Sequence, residues 1–194
     1  MILVLVFFVH AAQRFLVVTE ESYKVFWPNR YWLLAHFIGG SIALLCGVTQ
    51  FWAGLRQRYP AVHRWTGRLY LAGGSVAALA AIYMSFNSAV GWMFGVAGFA
   101  MAIAWIATSA MAYISIRRKQ IQAHREWMTR SYVVTFGFVV FRVLAVSPLF
   151  AGLGSPRDRL TAFLWLCWVV PLLITEVVLQ WRRTFVPAGR AAHS

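Results

Sequence analysis

GWMFGVAGFAMAIAWIATSAMAYISI, residues 91 to 116, runs for twenty-six residues without an Asp, Glu, Lys or Arg. As a helix it would rise about 39 Å, more than the hydrocarbon core of a bilayer at about 30 Å. Apolar runs bounded by charges or turn residues lie on either side, at about 2–18, 31–55, 67–87, 130–151 and 160–182. The sequence therefore predicts an all-α polytopic membrane bundle of about six spans, forming a single integral membrane domain over 1–194. The first run is the shortest and carries His10, Gln13 and Arg14.

Composition agrees with this reading. The chain is 61% hydrophobic and 12% charged, with ten Trp and fifteen Phe, more apolar surface than a soluble domain can hide. A net charge of +13 would suggest nucleic acid in a soluble protein. Here the basic residues sit in short loops between apolar runs, which assigns them to membrane orientation and lipid headgroups and excludes a nucleic-acid partner. Cys46 and Cys167 fall inside apolar runs without metal-ligand spacing and read as buried free thiols. The opening MILVLVFFVH has no charged lead and no small-residue cleavage site, so it reads as a span and not as a removable signal.

With six spans, segments 56–66, 117–129 and 183–194 share one side with the N-terminus. That side and its span ends hold twelve basic residues: Arg56, Arg58, Arg64, Arg68, Arg117, Arg118, Lys119, Arg125, Arg130, Arg182, Arg183 and Arg190. The opposite loops hold four, Lys24, Arg30, Arg157 and Arg159. The positive-inside rule then puts both termini in the cytoplasm. The longest outer connection is TEESYKVFWPNR, residues 19 to 30, so any chemistry must be built between helices. Glycines at helical spacing, Gly40, Gly47 and Gly54, Gly67 and Gly74, Gly91 and Gly95, predict close helix contacts.

RQRYPAVHRWTGRLY, residues 56 to 70, resembles RRKQIQAHREWMTRSY, residues 117 to 132, with one residue inserted in the second copy. The two copies suggest a parallel duplication of spans two-three and four-five into a four-helix core. Such a core sets His63 and His124 at one depth, each in the first turn of its helix, as a pair of axial haem ligands requires. Gly67 and Gly74 lie on the face of His63 and predict a slot for a flat ring. Ser131, Thr135 and Arg142 form a polar stripe on the face of His124. An interfacial headgroup-binding role for both histidine-arginine pairs stands beside the cofactor reading.

Arg142, placed near the middle of span five, and Glu176 in span six sit inside apolar runs. Each costs about 2.5–3.5 kcal/mol to insert, which makes a functional role the default for both. Their depths do not favour a mutual ion pair. His10, Arg14, His36 and Arg142 come to similar depths in the outer half. A second site of His36, Arg142, Thr135 and Glu176 follows, for quinone, a second haem or a proton path.

At HRWTGRLY and HREWMTRSY, from His36 to Arg142, the chain resembles a family of predicted bacterial multi-pass membrane proteins known as domain of unknown function 2306. That resemblance implies the bacterial cytoplasmic membrane but no activity. HRWTGR is also similar to the opening of the third span in ferric-reductase-type cytochromes b, where the histidine is a haem ligand. This likeness implies that His63 and His124 hold haem b, with Arg64, Arg68 or Arg125 balancing its propionates. Those cytochromes carry a second histidine about four turns further on, where this chain has Ala77. Span four has no histidine, and Met93 and Met101 are its soft ligand candidates, so one haem is the expectation.

Three functions follow from the sequence. The first is a membrane cytochrome b-like redox subunit for transmembrane or quinone-linked electron transfer, with a redox partner. The second is a small-solute or proton transporter whose path is lined by the second site. The third is a non-catalytic anchoring subunit of a membrane complex. With Glu126 as the single carboxylate near the inner histidines, a hydrolytic metal site is poorly supplied.

Overall fold

Gly91, at φ +132°, releases the chain from one helix and aims it into the next, so the uncharged run becomes helical from Trp92. In the computed structural model, which describes residues 17–185, five long helices account for most of the chain. They are α1 (Arg30–Gln50), α2 (Pro60–Phe86), α3 (Trp92–Arg117), α4 (Ile121–Val146) and α5 (Pro156–Phe185). All five are long and apolar enough to cross a membrane. The expected first span, with His10 and Arg14, lies outside the described residues.

The helix boundaries have local causes. Pro60 opens α2 at a position where its missing N–H is not needed. Lys119, at φ 59°, breaks the chain between α3 and α4. Ser147 turns extended ahead of Pro148, which stops α4. Ser155 caps α5, accepting from Asp158 N at 3.2 Å while its hydroxyl donates to the Asp158 carboxylate at 2.6 Å.

α2 and α4 start at Pro60 and Ile121, well before the sequence-based limits of 67 and 130. Arginines near a membrane surface can extend their heads to the headgroups, so charge does not end the helix. α4 also ends earlier, at Val146. Arg142 is therefore only about 6 Å from the outer end of its helix, a correction to its expected mid-span position.

α1–α2, α2–α3 and α3–α4 pack as sequential neighbours, and α1 also meets α4. This closes a four-helix ring in which α2 stands opposite α4 and α1 opposite α3. α5 lies outside the ring against α3 and α4. Tyr70, Ala77, Ala78, Met101, Trp105 and Val134 fill the centre, while Cys46 is half-buried and Cys167 buried, both as free thiols.

Apolar surface faces lipid, which offers little solvent drive for helix contact, so close packing has to hold the bundle. α1 and α2 cross at Gly39 and Gly73. A Cβ at Gly39 would stand 2.6 Å from Gly73 O, and one at Gly73 would stand 2.7 Å from Gly39 O. The sequence pointed to Gly40 and Gly74, one position away. Gly39→Ala is expected to force the backbones apart and lower stability by about 1–3 kcal/mol. A melting curve of the purified variant in detergent checks this, and an unchanged midpoint would contradict it.

Candidate functional site

His63 is the fourth residue of α2 and His124 the fourth of α4. Both helices run from the arginine-rich end, so equal positions mean equal depth, and the two histidines approach from diagonally opposed helices. They are close enough to interact electrostatically, with Arg56 and Arg64 also in range of His63. His124 Nδ1–H donates to Ala112 O of α3 at 2.8 Å, which fixes the ring and leaves the Nε2 lone pair free to bind. His63 Nδ1 is buried and has no hydrogen-bond partner. Buried polar atoms are rarely left unpaired, and this one belongs to a histidine at the same depth as a second histidine.

Around this pair, Arg64, Arg68 and Arg125 are exposed at the same end, with Arg68 lying over the Trp65 ring at 5.0 Å. The expected ring slot on the face of His63 is filled by protein. A Cβ at Gly67 would meet Gln50 Oε1 at 3.2 Å, and one at Gly74 would meet Trp105 at 3.1 Å. Gln50 Nε2 donates to Thr66 Oγ1 at 2.7 Å, tying the end of α1 to the first turns of α2. A planar group would have to lie between the two imidazoles and not along α2.

Seven residues beyond each histidine, about 10 Å deeper, stand Tyr70 and Ser131. Their hydroxyls meet at 2.5 Å, and Tyr70 also reaches Thr135 Oγ1 at 2.9 Å and Trp105 Nε1 at 3.5 Å. Thr135 donates to Ser131 O, so Tyr70 must donate to Thr135 and accept from Ser131 and Trp105. Ser109 joins through Ser131 at 2.8 Å. Ser131 and Thr135 of the expected stripe belong to this layer, in which every hydroxyl is satisfied, while Arg142 lies apart from it.

Fourteen residues beyond the histidines lie Ala77 and Phe138, with His36 of α1 between them. His36 Nδ1–H donates to Ala77 O at 2.8 Å, and its ring meets Phe138 edge-on at 4.9 Å. His36 also lines an apolar cavity of about 320 Å³ at the outer end of the bundle, shared with Arg142, Trp105, Met101 and Phe138. The four residues of the expected second site therefore separate. His36 and Arg142 line the cavity, Thr135 belongs to the hydroxyl layer, and Glu176 lies at the other end of the bundle.

Glu176 pairs with Arg130, whose Nη2 is 2.7 Å and Nε 2.8 Å from its carboxylate. Buried Glu126 lies 3.9 Å from Arg130 and pairs with Arg183. Arg130 and Glu176 are each nine residues from the inner end of their helix, about 13 Å deep, which is why they meet. The sequence reading placed Arg130 at a span end and missed this network. The spacing of Glu126 and Arg130, i to i+4 on one helix face, was the available signal.

Among the described residues, no three His, Cys, Asp or Glu side chains gather to hold a bare metal ion. A haem needs only two axial side chains, because the macrocycle supplies the other four ligands.

Four apolar helices in a ring, with a fifth packed outside it, define a multi-pass α-helical membrane protein. The family model for predicted membrane proteins DUF2306 matches residues 33–179, and the chain belongs to that family. Neither the curated proteins nor the solved structures yield a match.

Proposed function

We propose that this chain is a membrane electron-transfer protein holding one haem b between His63 and His124. The observation that carries the reading is the pair itself. The two imidazoles stand at one depth on opposed helices, one with Nδ1–H committed to Ala112 O and the other with a buried unpaired nitrogen. When bound, the haem would supply a one-electron redox centre near the arginine-rich end. The protein would hold its iron through two imidazoles, balance its propionates with Arg64, Arg68 or Arg125, and exclude water with the packed layer above.

Trp105 donates to Tyr70 at 3.5 Å and stands in ring contact with Phe138, which meets His36, so the four side chains run in series from that layer to the outer cavity. The series gives electrons a packed route to a redox partner at the other end. The excess of arginine at that end supports a haem end that faces the cytoplasm of a bacterial inner membrane, with residues 2–18 as the further span that would bring both termini to that side. Transport of a small solute draws no support from the hydroxyl layer, whose groups are buried and satisfied by one another.

Haem content per polypeptide, assayed on protein purified from cells supplied with haem precursor, tests the reading. About one haem per chain is expected. A preparation that is folded and haem-free, and stays so after reconstitution with hemin, would overturn it.

A further inference from the structure

We infer that the outer cavity is a binding site for a lipid-soluble quinol, the reduced form of a quinone. This deepens the electron-transfer reading, because it names what the other end of the protein takes. Three features of the cavity point to that chemistry.

The first is size and position. A volume of about 320 Å³ lies in the range of sites that enclose one small organic ligand. His36 is about 9 Å and Arg142 about 6 Å from the outer ends of their helices, so the cavity is within reach of lipid-borne molecules.

The second is the wall. Phe138, Phe94, Phe141 and Trp105 surround the space, and Trp105 and Phe138 already meet edge-on at 5.6 Å. Aromatic walls of this kind receive a flat ring by stacking or edge contact. Gly40 opens the wall of α1, where a Cβ would meet nothing nearer than Phe138 at 3.8 Å.

The third is the polar head. His36 spends Nδ1–H on Ala77 O, so the neutral ring offers the cavity a lone pair on Nε2. Arg142 lines the same cavity and brings it a positive charge. The pair suits a ligand whose hydroxyl donates to the imidazole and keeps its oxygen lone pairs toward the guanidinium, as a quinol does, whereas the oxidised quinone brings acceptors alone. A fatty-acid carboxylate suits Arg142 but brings only acceptors to the imidazole lone pair. An alkyl chain alone satisfies neither group.

The test uses the full chain in nanodiscs and a decyl-substituted azidobenzoquinol, kept reduced under anaerobic conditions, as photoprobe, with crosslinked peptides mapped by mass spectrometry. Label is expected on α1 and α4 segments lining the cavity, displaced by decylbenzoquinol but not by equal concentrations of decanol or palmitate. Gly40→Leu, which fills the cavity, and His36→Ala, which removes the acceptor, should each weaken labelling by at least about tenfold, a factor set by the loss of one positioned polar contact. Both variants are checked for monodispersity, and His36→Gln, which keeps a polar side chain, guards against loss of fold. Displacement by decanol or palmitate as effective as by the quinol would make this a lipid-chain cavity and overturn the inference, as would labelling indifferent to Gly40→Leu. Haem content measured on the same samples separates the two proposals. Specific labelling of haem-free protein sinks the haem assignment alone, and haem-loaded protein without specific labelling sinks the quinol site alone.

Discussion

His124→Gly and His63→Gly should each purify with haem reduced by at least about tenfold, since even removing a partner behind a metal-bound histidine costs about 10–100-fold. His124 is the proposed ligand whose geometry is already set, because its Nδ1–H is held by Ala112 O. His63 has no such support at Nδ1, and its ring would gain orientation from the iron itself. Added imidazole should restore haem to His124→Gly, because the space left by the side chain lies within the packed inner end. A merely structural role for the histidine would not produce that rescue. Haem retained in both variants would remove the pair from the site.

Arg130→Ala should destabilise the protein by about 3 kcal/mol, near the lower end for breaking a buried ion pair. Arg130 is the shared cation of Glu126 and Glu176, and its side chain is 9% exposed against 5% for Glu126. Its removal leaves the buried Glu126 to Arg183 alone and frees Glu176 from its closest cation. It also takes the guanidinium from the Trp127 face, 4.7 Å away. The loss should shrink when the whole group goes. Arg130→Met combined with Glu126→Leu and Glu176→Leu should recover most of the loss, because apolar side chains of similar volume need no desolvation. Thermal midpoints of the single and triple variants in detergent decide it. A single variant as stable as the parent would show that the network contributes nothing to holding α5 on the ring.

The spans were legible because lipid imposes a simple rule, that long stretches must lack charge, and residues 91–116 satisfy it without exception. Span ends were less legible. Charge was read as the end of a helix, yet α2 and α4 pass through their arginines for two turns or more. That error hid Arg130, which sits deep enough to meet Glu176.

The repeat was legible as a string and misleading in phase. Matching by residue type pairs Trp65 with Trp127 and Arg68 with Arg130, but the inserted Glu126 advances the second copy by one position, about 100° around the helix. Trp65 and Arg68 are therefore exposed, while Trp127 is half-buried and Arg130 buried. What the helices bring to equal positions is His63 with His124 and Tyr70 with Ser131, and the second pair is bonded across the core. The Gly39–Gly73 crossing left little trace in the sequence, since α1 is apolar on all sides and no face stands out as the packed one.

The depth match of His36 and Arg142 was visible from counting residues, and both line one cavity. The separation of Thr135 and Glu176 from them was not. It depends on which helices are neighbours, and the sequence leaves that order open.

The central claim, a haem between His63 and His124, is tested most directly by the absorption spectrum of the purified wild-type chain, oxidised against dithionite-reduced. A Soret band with a sharp reduced α band, as two imidazole ligands on low-spin iron give, is the predicted result. A folded, monodisperse protein with no Soret band, before or after addition of hemin, would contradict it.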